Sequence, residues 1–271
     1  MRSVGLGADL VQPLSWVMDA RGMYYDSRQP SDLEHLLQTS RFDESMLARA
    51  ARLRQRIVEA GLSKYNIGQG HWSRPVGCTR VILVPGQVES DASIRFGAPG
   101  IRSNIGLLMA VREANPNAYV IYKPHPDVLA GLRRQGEGEG EVVNWCDEVI
   151  GEVAMASLLA EVDEVHTLTS LTGFEGLLRG KAVTCYGQPF YAGWGLTQDK
   201  APIPRRKRML DLDALVAGAL ILYPRYTSPT MGRQISPEEA LDELVAWRGR
   251  LPSGELPAWR RLMRIFLRNA I

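Results

Sequence analysis

His125 sits in the string Lys123-Pro124-His125-Pro126, where two prolines stiffen the backbone that carries the ring. An imidazole aimed from such a turn suits a phosphate oxygen, in a bound ligand or in a leaving group, and Lys123 adds a positive charge beside it. A histidine in an ordinary surface turn is the competing reading. A second cluster, Thr167, Thr169, Ser170 and Thr172 ahead of Gly173, brings hydroxyls and backbone amides to the start of an expected helix, where anions are favoured. Without a Lys-Ser/Thr pair this is no P-loop, and a plain capping loop would have the same composition. Glu175, in the first turn of that helix, has the acceptor capacity for two ribose hydroxyls, or simply complements the helix dipole.

Glu89 and Asp91 occupy alternate positions in Gly86-Gln87-Val88-Glu89-Ser90-Asp91-Ala92-Ser93, a spacing that can aim two carboxylates the same way. Such a pair would supply a nucleophile and an electrostatic or acid/base partner for transfer at an anomeric carbon, although acidic loop residues are usually just solvated. The stretch from Gln188 to Thr197 holds Phe190, Tyr191 and Trp194 with two glycines. That much apolar area either lines a sugar or nucleotide pocket or buries itself against later helices.

The elements that must position these groups alternate. Residues 42–60 carry a helical apolar stripe, Leu47, Ala50, Leu53, Ile57 and Val58, with Asp43 as cap and Gly61 as stop. A polar loop over 63–78 leads to the run Val81-Ile82-Leu83-Val84, a buried strand ending at Pro85-Gly86. A helix over 104–114 and a strand over 118–122 follow, then weaker strands at 142–143 and 164–167, a helix over 173–178 and a last strand over 181–185. Strand, loop and helix in this alternation imply an α/β fold with a doubly wound parallel sheet, whose ligands bind at the carboxyl ends of the strands. Helices over 212–222 and 237–248 close the chain, the second with a capping box from Ser236 and Glu239. Ahead of residue 42, residues 16–17 and 23–25 look like a hairpin about 19–22. Residues 136–141 are Gly/Glu-rich and read as a mobile loop.

The 271 residues are 45% hydrophobic, and 32 Lys plus Arg nearly cancel 30 Asp plus Glu, so the +2 balance gives no whole-chain footprint for nucleic acid. Cys78, Cys146 and Cys185 are odd in number and widely spaced, against both a disulfide framework and a zinc knuckle. No stretch reaches the roughly 18–20 apolar residues of a membrane span, and no signal core follows Arg2, so a cytoplasmic location is expected. The basic, amphipathic segment 259–268 would either lie on an anionic membrane surface or pack on the domain; the basic run 205–208 reads as a solvated loop or an extension of that patch.

Together the strings Gly86–Ser93, Lys123-Pro124-His125-Pro126-Asp127, Thr169-Ser170-Leu171-Thr172-Gly173-Phe174-Glu175 and Tyr186–Gly195 resemble those of the KpsC/LipA capsule-polysaccharide proteins, and Arg2–Gly7 and Ser63-Lys64-Tyr65-Asn66 fit as well. The resemblance covers the chain to about Arg248. It implies retaining β-Kdo glycosyltransferases of the two-domain GT-B type, which use CMP-β-Kdo to build a poly-Kdo linker on a phosphatidylglycerol lipid beneath the capsule. By that resemblance Asp91 is the nucleophile, with Glu89 as the second catalytic carboxylate. Donor contacts fall to Gln87 and Ser93, to Lys123, His125 and Pro126, to Thr169, Ser170, Thr172, Gly173 and Glu175, and to Gln188 and Tyr191. Arg2, Ser3, Gly5, Lys64, Tyr65 and Asn66 fall on the acceptor side. Neither metal nor cofactor is implied beyond the nucleotide-sugar donor; the other partners are a lipid-linked Kdo acceptor and a peripheral inner-membrane contact through the C-terminal segment.

Family members carry most of an N-terminal Rossmann-like domain, with an acidic Glu-Asp-Gly box, ahead of the Arg-Ser-Val-Gly string that opens this chain. The expectation is therefore a fragment or one module of a longer protein: residues 1–75 a remnant of the acceptor-side domain, 76–225 the nucleotide-sugar-binding domain, 226–271 C-terminal helices. Such a chain would bind CMP or CMP-Kdo but transfer poorly. A non-catalytic nucleotide- or glycolipid-binding or export-associated protein is the alternative, and a phosphosugar epimerase would use a similar fold.

Overall fold

The computed structural model describes residues 13–64 and 70–250. Arg2, Ser3, Gly5, Tyr65 and Asn66, and the basic segment 259–268, lie outside the described residues. The chain enters through a short strand, β1 (Ser15–Trp16), and two helices, α1 (Asp32–Thr39) and α2 (Glu44–Glu59). Both helices begin on a side-chain cap: Ser31 accepts from Glu34 N, and Asp43 accepts from Met46 N at 2.8 Å. Helix α2 stops where Gly61 turns left-handed at φ 56°, as its glycine suggests.

Six parallel strands follow: β2 (Val81–Pro85), β3 (Tyr119–Lys123), β4 (Glu148–Val149), β5 (Glu164–Thr167), β6 (Ala182–Cys185) and β7 (Gln198–Asp199). Between them run α3 (Ala92–Gly97), α4 (Asn104–Ala114), α5 (Pro126–Leu129), α6 (Met155–Glu161) and α7 (Leu171–Leu178). The sheet order is β4-β3-β2-β5-β6-β7, so the winding reverses between β2 and β5. All five residues of β2 are buried, and they alternate between two cores: Val81 and Leu83 join one with Leu37, Leu53, Val165 and Leu177, while Ile82 and Val84 join the other with Leu107, Val111 and Tyr122. A strand covered on both faces has no polar positions, which is why the run Val81–Val84 is continuous rather than alternating. Each such side chain contributes roughly 1.5–3 kcal/mol through burial.

Three expectations for this region change. The stretch 142–143 is not a strand: Glu139–Asn144 forms a 3-10 turn, and the edge strand is β4 a few residues later. The cause is Glu139, a buried carboxylate that accepts from the Tyr122 hydroxyl and from Gly136 N at 2.7 Å, tying the Gly/Glu-rich stretch down. β6 is not the last strand, since β7 pairs with it beyond the aromatic loop. Helix α7 starts two residues early, on the Ser170 cap.

The chain ends with α8 (Leu212–Val216), which widens into π-helical turns over Ala217–Leu222, then β8 (Arg225–Thr227), β9 (Gln234–Ile235) and α9 (Pro237–Arg250). The capping box forms: Glu239 N donates to Ser236 Oγ at 3.1 Å, and Ser236 N to Glu239 Oε2 at 2.8 Å. The expected N-terminal hairpin does not form. β1 pairs antiparallel with β8 instead, and the Asp19 carboxylate accepts from the backbones of Arg21, Gly22 and Asp32, shaping a turn that leads residues 23–25 away. Nor is the run 205–208 a solvated loop. Arg205 and Arg206 both ion-pair with buried Glu34, Arg206 also donates to the carbonyls of Pro189 and Ala192, and Arg208 donates to those of Leu37 and Ser40. Sequence alone shows a basic run; only the fold brings Glu34 and those carbonyls to it. Among the described residues no helix is long and apolar enough to cross a membrane.

Candidate functional site

The loops that leave β2, β3 and β5 meet at the carboxyl edge of the sheet, where the winding reverses, and enclose a cavity of about 610 Å³. A doubly wound sheet opens its crevice at this point because the flanking connections diverge to opposite faces. Gly86 and Gln87 come from the first loop, Lys123, His125 and Pro126 from the second, and Thr169, Ser170, Thr172 and Glu175 from the third. Asp91, Ser93 and Lys64 line it as well, and an apolar side is supplied by Tyr24, Tyr25, Leu129, Met155, Leu171 and Phe190.

His125 caps the short α5: its Nδ1 accepts from Asp127 N at 3.2 Å. A neutral ring that accepts at Nδ1 carries its proton on Nε2, so the backbone selects the tautomer that is a donor at the far nitrogen. Burial pushes the ring pKa down to about 4, with the positive charges of Lys64 and Arg133 acting the same way and Asp91 opposing. Lys123, whose pKa burial also lowers, donates from Nζ to Gly151 O at 2.9 Å and Val153 O at 2.7 Å, so it holds that loop while placing a cation in the cavity wall.

Ser170 caps α7, accepting from Thr172 N at 3.2 Å and donating to Thr172 Oγ1 at 3.1 Å. The positive end of an eight-residue helix thereby opens on the cavity. Gln87 is buried and locked, its backbone paired with the Asn104 side chain and its side chain with Thr169. Glu175 is 6% exposed and accepts from Lys64 N at 2.6 Å; burial pushes its pKa up.

Asp91 stands at the N-cap position of α3 without capping it, and its carboxylate ion-pairs with Arg133 instead. Glu89 does not share that face. Its carboxylate accepts from Asn104 N at 2.7 Å and Glu137 N at 3.3 Å, outside the cavity lining, which makes it an anchor for α4 and the following loop rather than a partner of Asp91. Gly173, Gln188 and Tyr191 also lie outside the lining. Tyr191 is fully buried, donates to the Ser170 carbonyl, and lies so close to Gly173 that any side chain there would overlap its ring. Gln188 accepts from Ser27 Oγ at 2.7 Å and donates to Pro202 O at 3.1 Å. The aromatic loop thus divides: Tyr191 and Trp194 join the core, and Phe190 reaches the cavity.

Tyr24, Tyr25, Leu129 and Met155 in the lining, and Arg133, which lies outside it and meets the site through its ion pair with Asp91, were not signalled by any motif, and only the packing of distant segments brings them together. Among the described residues no group of three or more His, Cys, Asp or Glu side chains is placed to hold a metal ion.

Residues 2–226 match the family described as capsule polysaccharide biosynthesis protein. The chain is 51% identical over 245 residues to the capsule polysaccharide modification protein LipA of Neisseria meningitidis serogroup A, covering 90% of itself and 35% of that protein. It is 44% identical to the lipopolysaccharide-processing protein LpsZ of Rhizobium meliloti, covering 93% of itself and 58% of LpsZ. It therefore spans about a third to somewhat over half the length of these relatives. Among solved structures, Thermosulfurimonas dismutans KpsC, beta Kdo 2,7 transferase, is 48% identical with a TM-score of 0.76, over 87% of this chain and 74% of that one. The beta Kdo 2,4 transferase structure of KpsC from the same organism is 35% identical with a TM-score of 0.75, over 86% and 73%.

Proposed function

Because the chain belongs to the capsule polysaccharide biosynthesis protein family, we propose that its crevice binds CMP-β-Kdo and serves as the donor site of a Kdo glycosyltransferase in capsule assembly. The observation that carries this reading is the convergence on one cavity of an Nε2–H donor from His125, the Ser170-capped start of α7, and a carboxylate, Asp91, that caps nothing. The first two suit a phosphate; the third suits the sugar carbon attached to it.

In the proposed reaction a carboxylate oxygen of Asp91 attacks the anomeric carbon of Kdo, and the bond from that carbon to the phosphate oxygen breaks. Its electron pair leaves with CMP, whose added charge is met by the His125 donor, by the Ser170 hydroxyl once it turns from Thr172 Oγ1, and by the helix end. An acceptor hydroxyl then attacks the same carbon, gives up its proton to a base, and returns the Asp91 carboxylate. Two inversions leave the anomeric configuration unchanged. In this reading Glu175, buried beside Lys64 N, takes the ribose hydroxyls. On the same reading protein donors stabilise the leaving phosphate. The acceptor is a lipid-linked Kdo, and contact with the inner-membrane surface would be peripheral.

Titration calorimetry of the full chain with CMP tests the donor site. CMP should bind, and His125→Ala and Ser170→Ala should each weaken it about 10-fold or more, the worth of a lost charge-assisted hydrogen bond. No affinity for CMP would remove the reading.

A further inference from the structure

Arg133 reaches across 42 residues of sequence to the Asp91 carboxylate, and each side chain of the pair keeps 43% exposure. An ion pair that open to water is weak and exchangeable. The backbone beneath it is not: Arg133 N and Leu132 N both donate to Asp127 O, at 3.1 and 2.8 Å, and Gly136 N and Glu137 N are held by Glu139 and Glu89. A long guanidinium arm therefore pivots from a fixed base at the cavity edge.

The proposed chemistry makes a demand that the phosphate-binding groups leave unmet. Kdo carries a carboxylate on its anomeric carbon, the atom Asp91 must approach, so two anions have to share one carbon. His125 is buried with a lowered pKa, and Lys123 uses two of its three N–H donors on carbonyls of the neighbouring loop. Arg133 already touches the attacking carboxylate, and its planar fork matches a carboxylate in two-point contact.

We infer that Arg133 selects donors whose anomeric carbon bears a carboxylate, exchanging Asp91 for that group as the donor enters and so releasing the nucleophile in the same movement. This rests on the donor-site reading above. When Asp91 becomes an ester it loses its charge, and Arg133 stays on the sugar carboxylate; when the acceptor displaces the ester, Asp91 regains its charge and the original pair re-forms. No further reactant is required.

The test uses the full chain with three probes: CMP, a CMP-Kdo analogue fluorinated at C3 to slow loss of CMP, and the methyl ester of that analogue. The wild-type protein should bind the free acid at least 10-fold more tightly than the ester. Arg133→Met should bind CMP within about twofold of wild type, which also reports that it folds, and lose the preference for the acid. Arg133→Lys should restore part of it. An Arg133→Met protein that still prefers the acid, or a wild type that does not, overturns the inference while leaving CMP binding intact. Absence of CMP binding in the wild type overturns the donor site and the inference together.

Discussion

Gln87, in the loop after β2, grips Thr169, in the loop after β5: its Oε1 accepts from Thr169 N at 2.9 Å while its Nε2 donates to Thr169 Oγ1 at 3.0 Å. One amide thus closes the gap where the sheet reverses its winding, and the cavity-facing start of α7 is held at a set distance from the loop that leads to Asp91. Gln87→Ala leaves a part-buried backbone N–H and a hydroxyl without this partner, at a cost of about 1–3 kcal/mol. Denaturant unfolding should show that loss, and calorimetry a several-fold weaker CMP affinity. Unchanged affinity would mean the cradle is set elsewhere.

Asp91 should be the residue that carries the sugar. Incubated with CMP-Kdo, the protein should gain the mass of one Kdo less water, mapped by peptide mass spectrometry to Asp91; Asp91→Asn should show no adduct and bind CMP as before. An adduct elsewhere, or one that survives the substitution, would displace Asp91 from the mechanism.

His125 should make stability depend on pH. Its folded pKa of about 4 lies below the ordinary 6.5, so between these values the unfolded chain binds more protons, and stability rises with pH through that window. The full effect approaches roughly 3 kcal/mol. His125→Gln should flatten the difference in unfolding free energy between about pH 4 and 6.5, as followed by denaturant melts at several pH values. Buried His166, whose pKa is also lowered, acts in the same direction and remains in the variant, so only part of the slope should disappear.

Gly173 has no room for a methyl group. A Cβ there would fall on the Tyr191 hydroxyl and lie 2.8 Å from its Cζ, and Tyr191 is fully buried with nowhere to move. Gly173→Ala should cost roughly 1–3 kcal/mol and disturb the Ser170 end of α7, so the denaturation midpoint and the CMP affinity should fall together.

The two arginines on Glu34 should behave differently. The Arg206 side chain is 3% exposed, so Arg206→Met takes one of two guanidinium partners from buried Glu34 and leaves the Pro189 and Ala192 carbonyls without their donor, which should cost about 2–4 kcal/mol. Arg205 is 34% exposed, and Arg205→Met should cost about 1 kcal/mol or less. Equal losses in thermal melts would contradict this division.

The sheet and the cavity's three loops were legible because their signals are local. A short, β-branched apolar run stopped by Pro85-Gly86, Val81-Ile82-Leu83-Val84, reads as a strand covered on both faces, and residues such as His125 and Ser170 stand just past strand ends. The turn at 139–144 was not legible, because its cause is a bond from Glu139 to Tyr122, on a different element. The arginine run was misread for the same reason: charge in sequence says solvent unless its counter-charge is in view, and Glu34 lies some 171 residues away.

The amino-acid order alone therefore determined the alternation of strands and helices, the caps that begin α2 and α9, and the strand-end loops that carry Asp91, His125 and Ser170, since each follows from neighbours a few positions apart. Tertiary structure alone decided which of two carboxylates faces the cavity, which aromatic residues became core, and that Arg133 meets Asp91. Those outcomes depend on contacts between segments far apart in the chain, and side-chain type carries no information about a partner that only packing brings within reach.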